Sequence, residues 1–300
     1  MRRVIGLIAF VLATAPALAG AAGLLVLQTD YGTKDQAVAA LRGVARTVDR
    51  SLVIDDLTHE IPAFDIFAAS YRLNSVIDYW PRDTVFVSVV DPGVGTERRS
   101  IVAKLETGQM LVTPDNGTLT LLGDRLGVEA IRTIDETRNR LPGSEGSYTF
   151  HGRDIYAYVG ARLASGQLRF EDVGPVQADW VRVDYARPQP TEHGVAGGVP
   201  VLDPQYGNVW TNVPEAMAAK AGIVVGRSFD VVVRDAQKER YRGRVAFVHT
   251  FGDVASGAPL LYVNSVGMLA LALNLGNFAA TYAIAAGRET RIEISAARGE

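Results

Sequence analysis

The sequence contains no cysteine, only four histidines and no marked excess of charge of either sign. Without cysteine the chain has no disulfide bond, no thiolate nucleophile and no thiolate ligand for zinc or an iron–sulfur cluster. No two histidines stand at the spacing typical of a metal site. The 30 Lys and Arg residues against 33 Asp and Glu residues give a formal net charge of −3, which offers no basic excess for binding nucleic acid. The sequence therefore predicts no metal, no cofactor and no nucleic-acid partner.

Long hydrophobic runs are also absent, apart from a short one near the N-terminus. Two arginines precede an apolar run over residues 4–15, and a small-residue cleavage pattern follows at residues 17–19. This pattern is typical of a signal peptide, which we expect to span residues 1–22 and to direct the protein to the periplasm or out of the cell. A buried N-terminal helix is the alternative interpretation. No later stretch of about 20 apolar residues would span a membrane, so we expect no membrane contact after cleavage.

Residues 23–186 have the pattern of an α/β domain. The chain has 300 residues, of which 48% are hydrophobic and 21% charged, enough for one large folded domain or two ordinary ones. Apolar runs that predict strands alternate with segments in which apolar residues recur three and four positions apart, as on a helix. The predicted strands are 24–30, 51–57, 84–91, 101–105, 110–114 and 130–135, and the predicted helices begin near residues 37, 66 and 154. This alternation predicts a layered domain with a largely parallel sheet.

Beyond residue 186 the pattern changes. Residues 187–198 combine two prolines with a glycine-rich stretch, which predicts a linker. Residues 199–300 carry short apolar runs separated by turn residues, at 199–202, 209–213, 229–233, 241–249, 260–263 and 290–294. Several short strands at this spacing predict a small β-barrel or sandwich as a second domain.

Three aspartates stand at the ends of predicted strands: Asp30 and Asp91 end theirs, and Asp115 directly follows another. An open α/β sheet binds its ligands at the carboxyl ends of its strands, so these side chains are candidates for a site. An aspartate beside proline or glycine is more often a turn former, because its side chain bonds backbone amides two residues on. Three at equivalent positions of one sheet favour a site.

The loop after the third of the α/β strands brings Asp91 close in sequence to Arg98. It lacks the Gly-Lys-Ser/Thr ending of a phosphate-binding loop. An acid and an arginine held together form an orienting ion pair rather than a strong base, because each stabilises the charged form of the other. His151 precedes a predicted helix, where the helix dipole disfavours its charged form. An ordinary surface histidine is the alternative interpretation, and we interpret His59 as structural.

Seven motifs together resemble one known family. In chain order they are TDYG, DDLTHEIP, VVDPGVGTERR, PDNG, TFHGRD, LDPQYGN and VNSVG. They resemble the S-adenosylmethionine (SAM) hydrolases, also called SAM hydroxide adenosyltransferases, which are related to SAM-dependent fluorinases and chlorinases. The resemblance covers nearly all of the mature chain. It implies a three-layer α/β/α N-terminal domain with a mainly parallel sheet, a C-terminal β-barrel domain, and a homotrimer with active sites between subunits.

The resemblance also implies roles for individual residues. The catalytic residues of the family fall on Asp91, Arg98 and His151. The substrate-binding residues fall on Asp30 for the ribose, Phe64 for packing on the nucleoside, Asn208 for the adenine, and Asp203 and Ser265 for the methionine end. The role of Asp30 is chemically reasonable, because one carboxylate can accept hydrogen bonds from both hydroxyls of a vicinal diol.

Departures from the halogenase pattern separate the two branches of the resemblance. Small hydroxyl residues that hold the halide in the halogenases are replaced here by Val94 and Gly152, and two flanking tyrosines by Asp91 and His151. A buried carboxylate repels a halide, whereas it can hydrogen-bond a water. Val266 replaces an arginine that grips the methionine carboxylate in the halogenases, which leaves recognition of that carboxylate open.

The expected reaction is therefore hydrolysis of SAM to adenosine and methionine. An oriented water would attack C5′ in line with the leaving sulfur, with His151 acting as general base. One alternative is an exported protein that binds adenosine or SAM without turnover, and a less favoured one is a SAM-dependent halogenase. A metal-assisted phosphoesterase using Asp30, Asp91 and Asp115 is disfavoured by the lack of paired histidine ligands.

Overall fold

A computed structural model describes residues 23–236 and 238–296. The expected signal peptide, residues 1–22, lies outside the described residues. Within them, no helix combines the length and the apolar character needed to cross a membrane.

The first sheet has seven strands and is mixed. Its strands are β1 (Leu24–Thr29), β2 (Val53–Thr58), β3 (Val85–Val89), β4 (Ser100–Leu105), β5 (Met110–Pro114), β6 (Val128–Thr133) and β7 (Val176–Gln177). They lie in the order β2-β1-β3-β5-β4-β6-β7. The first four strands in this order, β2, β1, β3 and β5, run parallel to one another. The remaining strands, β4, β6 and β7, each pair antiparallel with the strand before them. The prediction of a mainly parallel sheet was therefore wrong: β4 and β5 are joined by a tight turn, which produces an antiparallel pair.

Helices pack against this sheet in two hydrophobic clusters. They are α1 (Ala37–Val48), α2 (Ile66–Val76), α3 (Thr120–Leu126) and α4 (Tyr158–Ala164), and a π-helical segment over Gly152–Ala157 runs directly into α4. Leu25 and Leu27 of β1 pack in a hydrophobic cluster with α1 and α4, whereas Val26 packs in another with α2 and α3. Successive side chains of a strand point to opposite faces, so the continuous apolar run in β1 matches burial on both sides.

The second sheet has nine strands. They are β8 (Gln189–Thr191), β9 (Gly194–Val199), β10 (Val201–Leu202), β11 (Val209–Pro214), β12 (Ser228–Asp235), β13 (Lys238–Phe247), β14 (Pro259–Val263), β15 (Met268–Leu273) and β16 (Gly287–Ser295). Their order is β10-β11-β15-β14-β13-β12-β16-β9-β8, antiparallel except between β13 and β14. In the described ranges the end strands β10 and β8 do not pair, so the expected barrel is not confirmed. Two short helices, α5 (Glu215–Lys220) and α6 (Phe278–Tyr282), accompany the sheet.

The segment expected to be a linker, residues 187–198, is instead largely part of the second sheet. It contains β8 and most of β9, and β9 pairs with β16. A side chain at Gly194 would collide with the backbone carbonyl of Ile294 in the neighbouring strand. The glycines that suggested flexibility therefore include one that allows two strands to approach closely.

Candidate active site

Asp30 and Asp91 follow two adjacent parallel strands at the same edge of the first sheet. Thr29 at the end of β1 lies opposite Val89 at the end of β3. Asp30 follows β1 directly, and Asp91 follows β3 after one further residue. This places both side chains where an α/β sheet binds its ligands, as the sequence predicted.

Asp91 and Arg98 form a buried, multiply bonded ion pair. Arg98 Nε donates to Asp91 Oδ1 at 2.9 Å and to Oδ2 at 3.0 Å, and Nη2 donates to Oδ2 at 2.5 Å. Only 5% of the Asp91 side chain and 11% of the Arg98 side chain are exposed. Burial alone would lower the pKa of Arg98, but the hydrogen bonds to Asp91 raise it above its ordinary value. The pair is therefore a fixed arrangement of charges, and Asp91 is not free to act as a strong base.

His151 is held by the same guanidinium. Arg98 Nη2 lies 3.0 Å from His151 Nδ1. An arginine can only donate, so Nδ1 must be the acceptor, and a neutral imidazole then carries its proton on Nε2. Burial is the main cause that lowers the pKa of His151. The charges of Arg98 and Arg140 lower this pKa further, whereas the charge of Glu136 raises it. His151 Nε2 is buried and has no hydrogen-bond partner among the described residues. It is a donor held ready for a ligand or a water.

Further polar groups, which the sequence did not reveal, hold the Arg98 guanidinium in place through Ser100. Arg98 Nη1 donates to Ser100 Oγ at 2.8 Å, and this hydroxyl lies 2.8 Å from Glu136 Oε1 and 3.1 Å from the Tyr156 hydroxyl. The guanidinium carbon also lies 5.5 Å from the centre of the Tyr156 ring. Glu136 and Tyr156 are 36 and 56 residues from Ser100 in sequence, so no local motif links them.

A cavity of about 540 Å³ opens beside this cluster, and Asp30, Phe64 and Asp91 line it. Phe64 has φ of +68°, and the residue is 70% exposed. Its backbone N–H donates to Asp30 Oδ2 at 2.9 Å, which stabilises the left-handed conformation that a non-glycine residue rarely adopts. Asp30 thus holds the aromatic ring at the mouth of the cavity, and the other carboxylate oxygen has no partner among the described residues.

Tyr31 and Gly152 both line this cavity, and the Tyr31 hydroxyl lies directly against Gly152. A side chain at position 152 would collide with this hydroxyl, so any other residue there would require Tyr31 to move. Burial raises the pKa of Tyr31, and the charges of Asp30 and Asp91 add to the effect, so the phenol stays protonated. Sequence reasoning assigned no role to Tyr31.

Asp115, the third aspartate at a strand end, has a structural role. Its carboxylate accepts from Arg99 Nε at 2.9 Å, from Gln177 Nε2 at 3.1 Å and from the Val181 backbone N–H at 2.8 Å. These bonds fix the chain that leaves β7, so Asp115 has a structural role, although none of them is the local bond of a turn former. In the part of the chain that the structure describes, no three histidine, aspartate or glutamate side chains are grouped so that they could hold a metal ion.

His59 also has the structural role expected of it. It is 4% exposed, and its Nδ1 lies 2.8 Å from Thr29 Oγ1 beneath the end of β1. Burial lowers its pKa to about 4. Its Nε2 lies 3.1 Å from a carboxylate oxygen of Asp56, which connects the neighbouring strands β1 and β2.

Two of the three C-terminal candidate residues, Asn208 and Ser265, line other cavities of the same chain. Asn208 is buried and lines a cavity of about 690 Å³ together with Tyr206, Phe251 and Leu275. Ser265 lines a separate cavity of about 390 Å³. Within one chain, therefore, the residues predicted for ribose and catalysis do not share a cavity with the residue predicted for adenine.

Comparisons with known proteins agree with the sequence motifs. Residues 25–174 match the SAM hydroxide adenosyltransferase N-terminal domain, and residues 197–291 match the C-terminal domain of that family. An (R)-S-adenosyl-L-methionine hydrolase of Salinispora tropica is 36% identical over 267 residues, covering 88% of this chain and 95% of that protein. A fluorinase of an Actinoplanes species is 27% identical, with coverage of 88% and 95%. The crystal structure of an uncharacterized conserved protein from Thermotoga maritima matches with a TM-score of 0.80 and 36% identity, covering 90% of this chain and 99% of that one.

Proposed function

Because the chain belongs to the SAM hydroxide adenosyltransferase family, we propose that it is an enzyme that hydrolyses S-adenosyl-L-methionine to adenosine and L-methionine. The observation that carries the proposal is the contact of Arg98 with both Asp91 and His151 beside the cavity that Asp30 and Phe64 line. Fixed charges and an unpartnered N–H donor beside a nucleoside-sized cavity suit the positioning of a water.

The proposed reaction is an in-line displacement at C5′. The oxygen of a water forms a bond to C5′ while the C5′–S bond breaks, and the electron pair of that bond goes to sulfur. The sulfonium becomes a neutral thioether, so no negative charge has to be stabilised on the leaving group. The attacking water ends as the 5′-hydroxyl of adenosine and releases one proton to solvent. Positioning of the water opposite sulfur is then the main contribution of the protein.

In this scheme His151 orients the water and does not deprotonate it. Its Nδ1 lone pair already accepts from Arg98, so the neutral ring offers only the Nε2 proton. This arrangement argues against the general-base role expected from the sequence. Asp91 would accept from the water through Oδ1, which accepts only one bond from Arg98 and keeps a further lone pair.

The nucleoside would bind with its ribose on Asp30 and its base against Phe64. The carboxylate oxygen of Asp30 that Phe64 does not use is open to a hydroxyl, and the exposed ring of Phe64 offers a flat apolar surface. Asn208, Asp203 and Ser265 would complete the site, with Asn208 at the adenine and the other two at the methionine end.

We propose a homotrimer with active sites between subunits, because the cavities beside Asp30 and Asn208 are separate within one chain. The two groups of residues then meet only when different subunits contribute them. Co-expression of Asp30→Asn and Asn208→Leu subunits tests this: some sites in mixed oligomers should regain the wild-type affinity for SAM that neither variant has alone. Failure to regain it in oligomers proven to be mixed would contradict the shared site.

Hydrolysis is proposed in preference to halogenation. The walls of the cavity include the Asp91 carboxylate and Val94, and Tyr31 occupies the space beside Gly152. A halide would approach a buried carboxylate, which repels it, and would find no serine or threonine hydroxyl at either of these positions.

The test is incubation of the purified protein with SAM in ¹⁸O-labelled water, followed by chromatography and mass spectrometry. We expect adenosine and methionine in equal amounts, with the label in the 5′-hydroxyl, and no effect of a chelator. Asp91→Asn should form little product. Binding of adenosine without turnover would instead indicate a non-catalytic binding protein. Loss of activity with chelator would indicate a metal-assisted reaction, and 5′-chloroadenosine in chloride buffer would indicate a halogenase.

We also propose export through the N-terminal signal. Mass spectrometry of protein from the native host should find a mature N-terminus between Gly20 and Leu24 in the periplasm or the medium. An intact Met1 in the mature protein would refute export by this route.

A further inference from the structure

Arg72 lies on α2, where this helix meets the loop between β14 and β15. It lines the cavity of about 390 Å³ that Ser265 and Val266 of that loop also line. The side chain is half-buried. No residue of the proposed catalytic cluster lines this cavity, so Arg72 has no assigned role in the reaction so far.

The guanidinium of Arg72 has little of its bonding capacity used. Its one hydrogen bond among the described residues runs from Nη2 to the carbonyl of Leu202, at 3.5 Å. No carboxylate in the described ranges lies within ion-pair distance of it, whereas Arg98, Arg99 and Arg125 each have one within 3 Å. An arginine carries five N–H donors in a planar fork that matches a carboxylate. A half-buried guanidinium left in this state beside a cavity suits an anionic ligand.

A carboxylate with an open oxygen acts on this guanidinium through space. Asp203 raises the pKa of Arg72 against the larger lowering by burial. Asp203 Oδ1 accepts the backbone N–H groups of Gln205 and Tyr206, at 2.9 and 3.0 Å, while Oδ2 has no partner among the described residues. A cation and an anion that are both open to a ligand complement a zwitterion. The methionine part of SAM carries such a pair, an α-carboxylate and an α-ammonium group.

We propose that Arg72 binds the α-carboxylate of the methionine part of the substrate, a proposal that rests on the SAM hydrolase function. The fork of the guanidinium would take the carboxylate, Asp203 Oδ2 would face the ammonium group, and Ser265 would add a hydroxyl to the same cavity. Val266 has no polar atom in its side chain and cannot bind the carboxylate through it. Arg72 is therefore a specificity-determining residue for the amino-acid end of the substrate.

The test compares two substrates in four proteins. The substrates are SAM and its decarboxylated analogue, which lacks only the α-carboxylate, and the proteins are the wild type, Arg72→Ala, Arg72→Lys and Arg125→Ala. Arg125 is the matched control, because it bonds Asn74 and Asp78 on or beside the same helix but already has a carboxylate partner. Circular dichroism and oligomer size are measured for each variant.

For SAM we expect Arg72→Ala to raise KM by about 10- to 100-fold with kcat little changed, as for loss of a charge-assisted bond. Arg72→Lys should recover part of the loss, because lysine restores the charge without the fork. The decarboxylated analogue should bind weakly to the wild type, and Arg72→Ala should not weaken it further. Equal losses for both substrates, or no loss for SAM, would overturn the proposal.

Direct binding separates this proposal from the proposed function. Calorimetric titration with the two compounds requires no turnover, and it should give the same pattern. Arg72→Ala should weaken the binding of SAM and leave the binding of the analogue unchanged. A wild type that binds SAM in this way but forms no adenosine would refute hydrolysis and retain the carboxylate site. Turnover of SAM that is insensitive to Arg72→Ala would refute the carboxylate site and retain hydrolysis.

Discussion

The cavity beside Asp30 and the cavity beside Asn208 differ in the chemistry of their walls. The first lies at the carboxyl edge of the mixed α/β sheet and is lined by three carboxylates, those of Asp30, Asp35 and Asp91. The second lies against the antiparallel sheet and is lined by aromatic, aliphatic and amide side chains, with no charged residue among those described. Fixed charges suit the positioning of a reacting group, whereas apolar surface and amides suit the recognition of an uncharged ring. We therefore expect substitutions of Asp91 and His151 to affect the rate, and substitutions of Asp30 or in the second cavity to affect affinity.

The largest effect is expected at the ion pair. Asp91→Asn and His151→Ala should each lower kcat by about 100- to 1000-fold, because each removes a group that positions the water. Affinity for adenosine should change little, since neither side chain is expected to contact the nucleoside. Kinetics with SAM and calorimetry with adenosine measure the two quantities.

The double variant and a control sharpen this prediction. Asp91→Asn with His151→Ala should be little worse than the worse single variant, because residues acting as one unit are not additive. Multiplied losses would mean that the two groups act independently. Asp172→Asn, which breaks the exposed pair with Arg169, should leave kcat unchanged.

A smaller effect, on binding, is expected for Asp30→Asn. The amide keeps one acceptor oxygen for the Phe64 N–H but loses an acceptor for the ribose. KM should rise by about 10- to 100-fold while kcat changes much less. A normal KM with a strongly lowered kcat would show that Asp30 acts on the reacting centre. Asp30 would then belong with Asp91 and His151, whose substitution lowers the rate.

In the second cavity the expected effect is smaller still. Asn208→Leu removes one neutral hydrogen-bonding group and should weaken adenosine binding by about 2- to 10-fold without lowering kcat. The variant should also lose preference for adenosine over inosine, which differs in the groups on the base edge. Competition assays with both nucleosides measure this. A fall in kcat with unchanged affinity would contradict a purely recognitional role for this cavity.

The pH dependence of the rate should be weak near neutrality. Burial lowers the pKa of His151, so the ring stays neutral as the pH falls through the ordinary histidine range near 6.5. We expect a constant kcat between about pH 6.5 and 8, with a decline only at lower pH as the ring gains a proton. A rise in kcat centred near pH 6.5 or above would mean that His151 titrates as an ordinary histidine and would restore the general-base role.

The smallest effect concerns stability and His59. Its folded-state pKa of about 4 lies below the unfolded value near 6.5, so the unfolded chain binds the proton first. The free energy of unfolding should be unaffected by this group above about pH 6.5. It should then fall by at most about 1.4 kcal/mol per pH unit as the pH drops toward 4. Urea unfolding of His59→Gln should show a shallower decline than the wild type, while His249→Gln, at an exposed position, should not.

Much of the first sheet was predictable because its strands are continuous apolar runs. Residues 110–114 were predicted as a strand with the bounds that the structure has, and the segment 84–91 contains β3. Strand direction was not predictable, since an apolar run reads the same in parallel and antiparallel neighbours. β15, with the sequence MLALAL, went unpredicted even though it is almost fully buried, because apolar residues without alternation do not distinguish strand from helix.

The site was predictable where it follows a motif and hidden where it does not. Asp91 and Arg98 are seven residues apart in one loop, so their contact follows from the sequence. Glu136 reaches the same guanidinium only through Ser100, and no local pattern marks it. The tautomer of His151 could not be predicted either, because it depends on which ring nitrogen faces Arg98.

The π-helical segment after His151 has a consequence for protein engineering. An α-helix turns by about 100° per residue, and a π-helical turn holds one residue more than an α-helical turn. Deleting a single residue between Gly152 and Ala157 would let the segment rewind as α-helix at little cost in backbone hydrogen bonds. Because the deletion removes only the residue that the wide turn accommodates, the residues on either side, including His151, should keep their orientation about the helix axis. Single-residue deletions therefore offer a way to ask whether the wide turn itself is needed, while Asp91, Arg98 and His151 stay chemically unchanged.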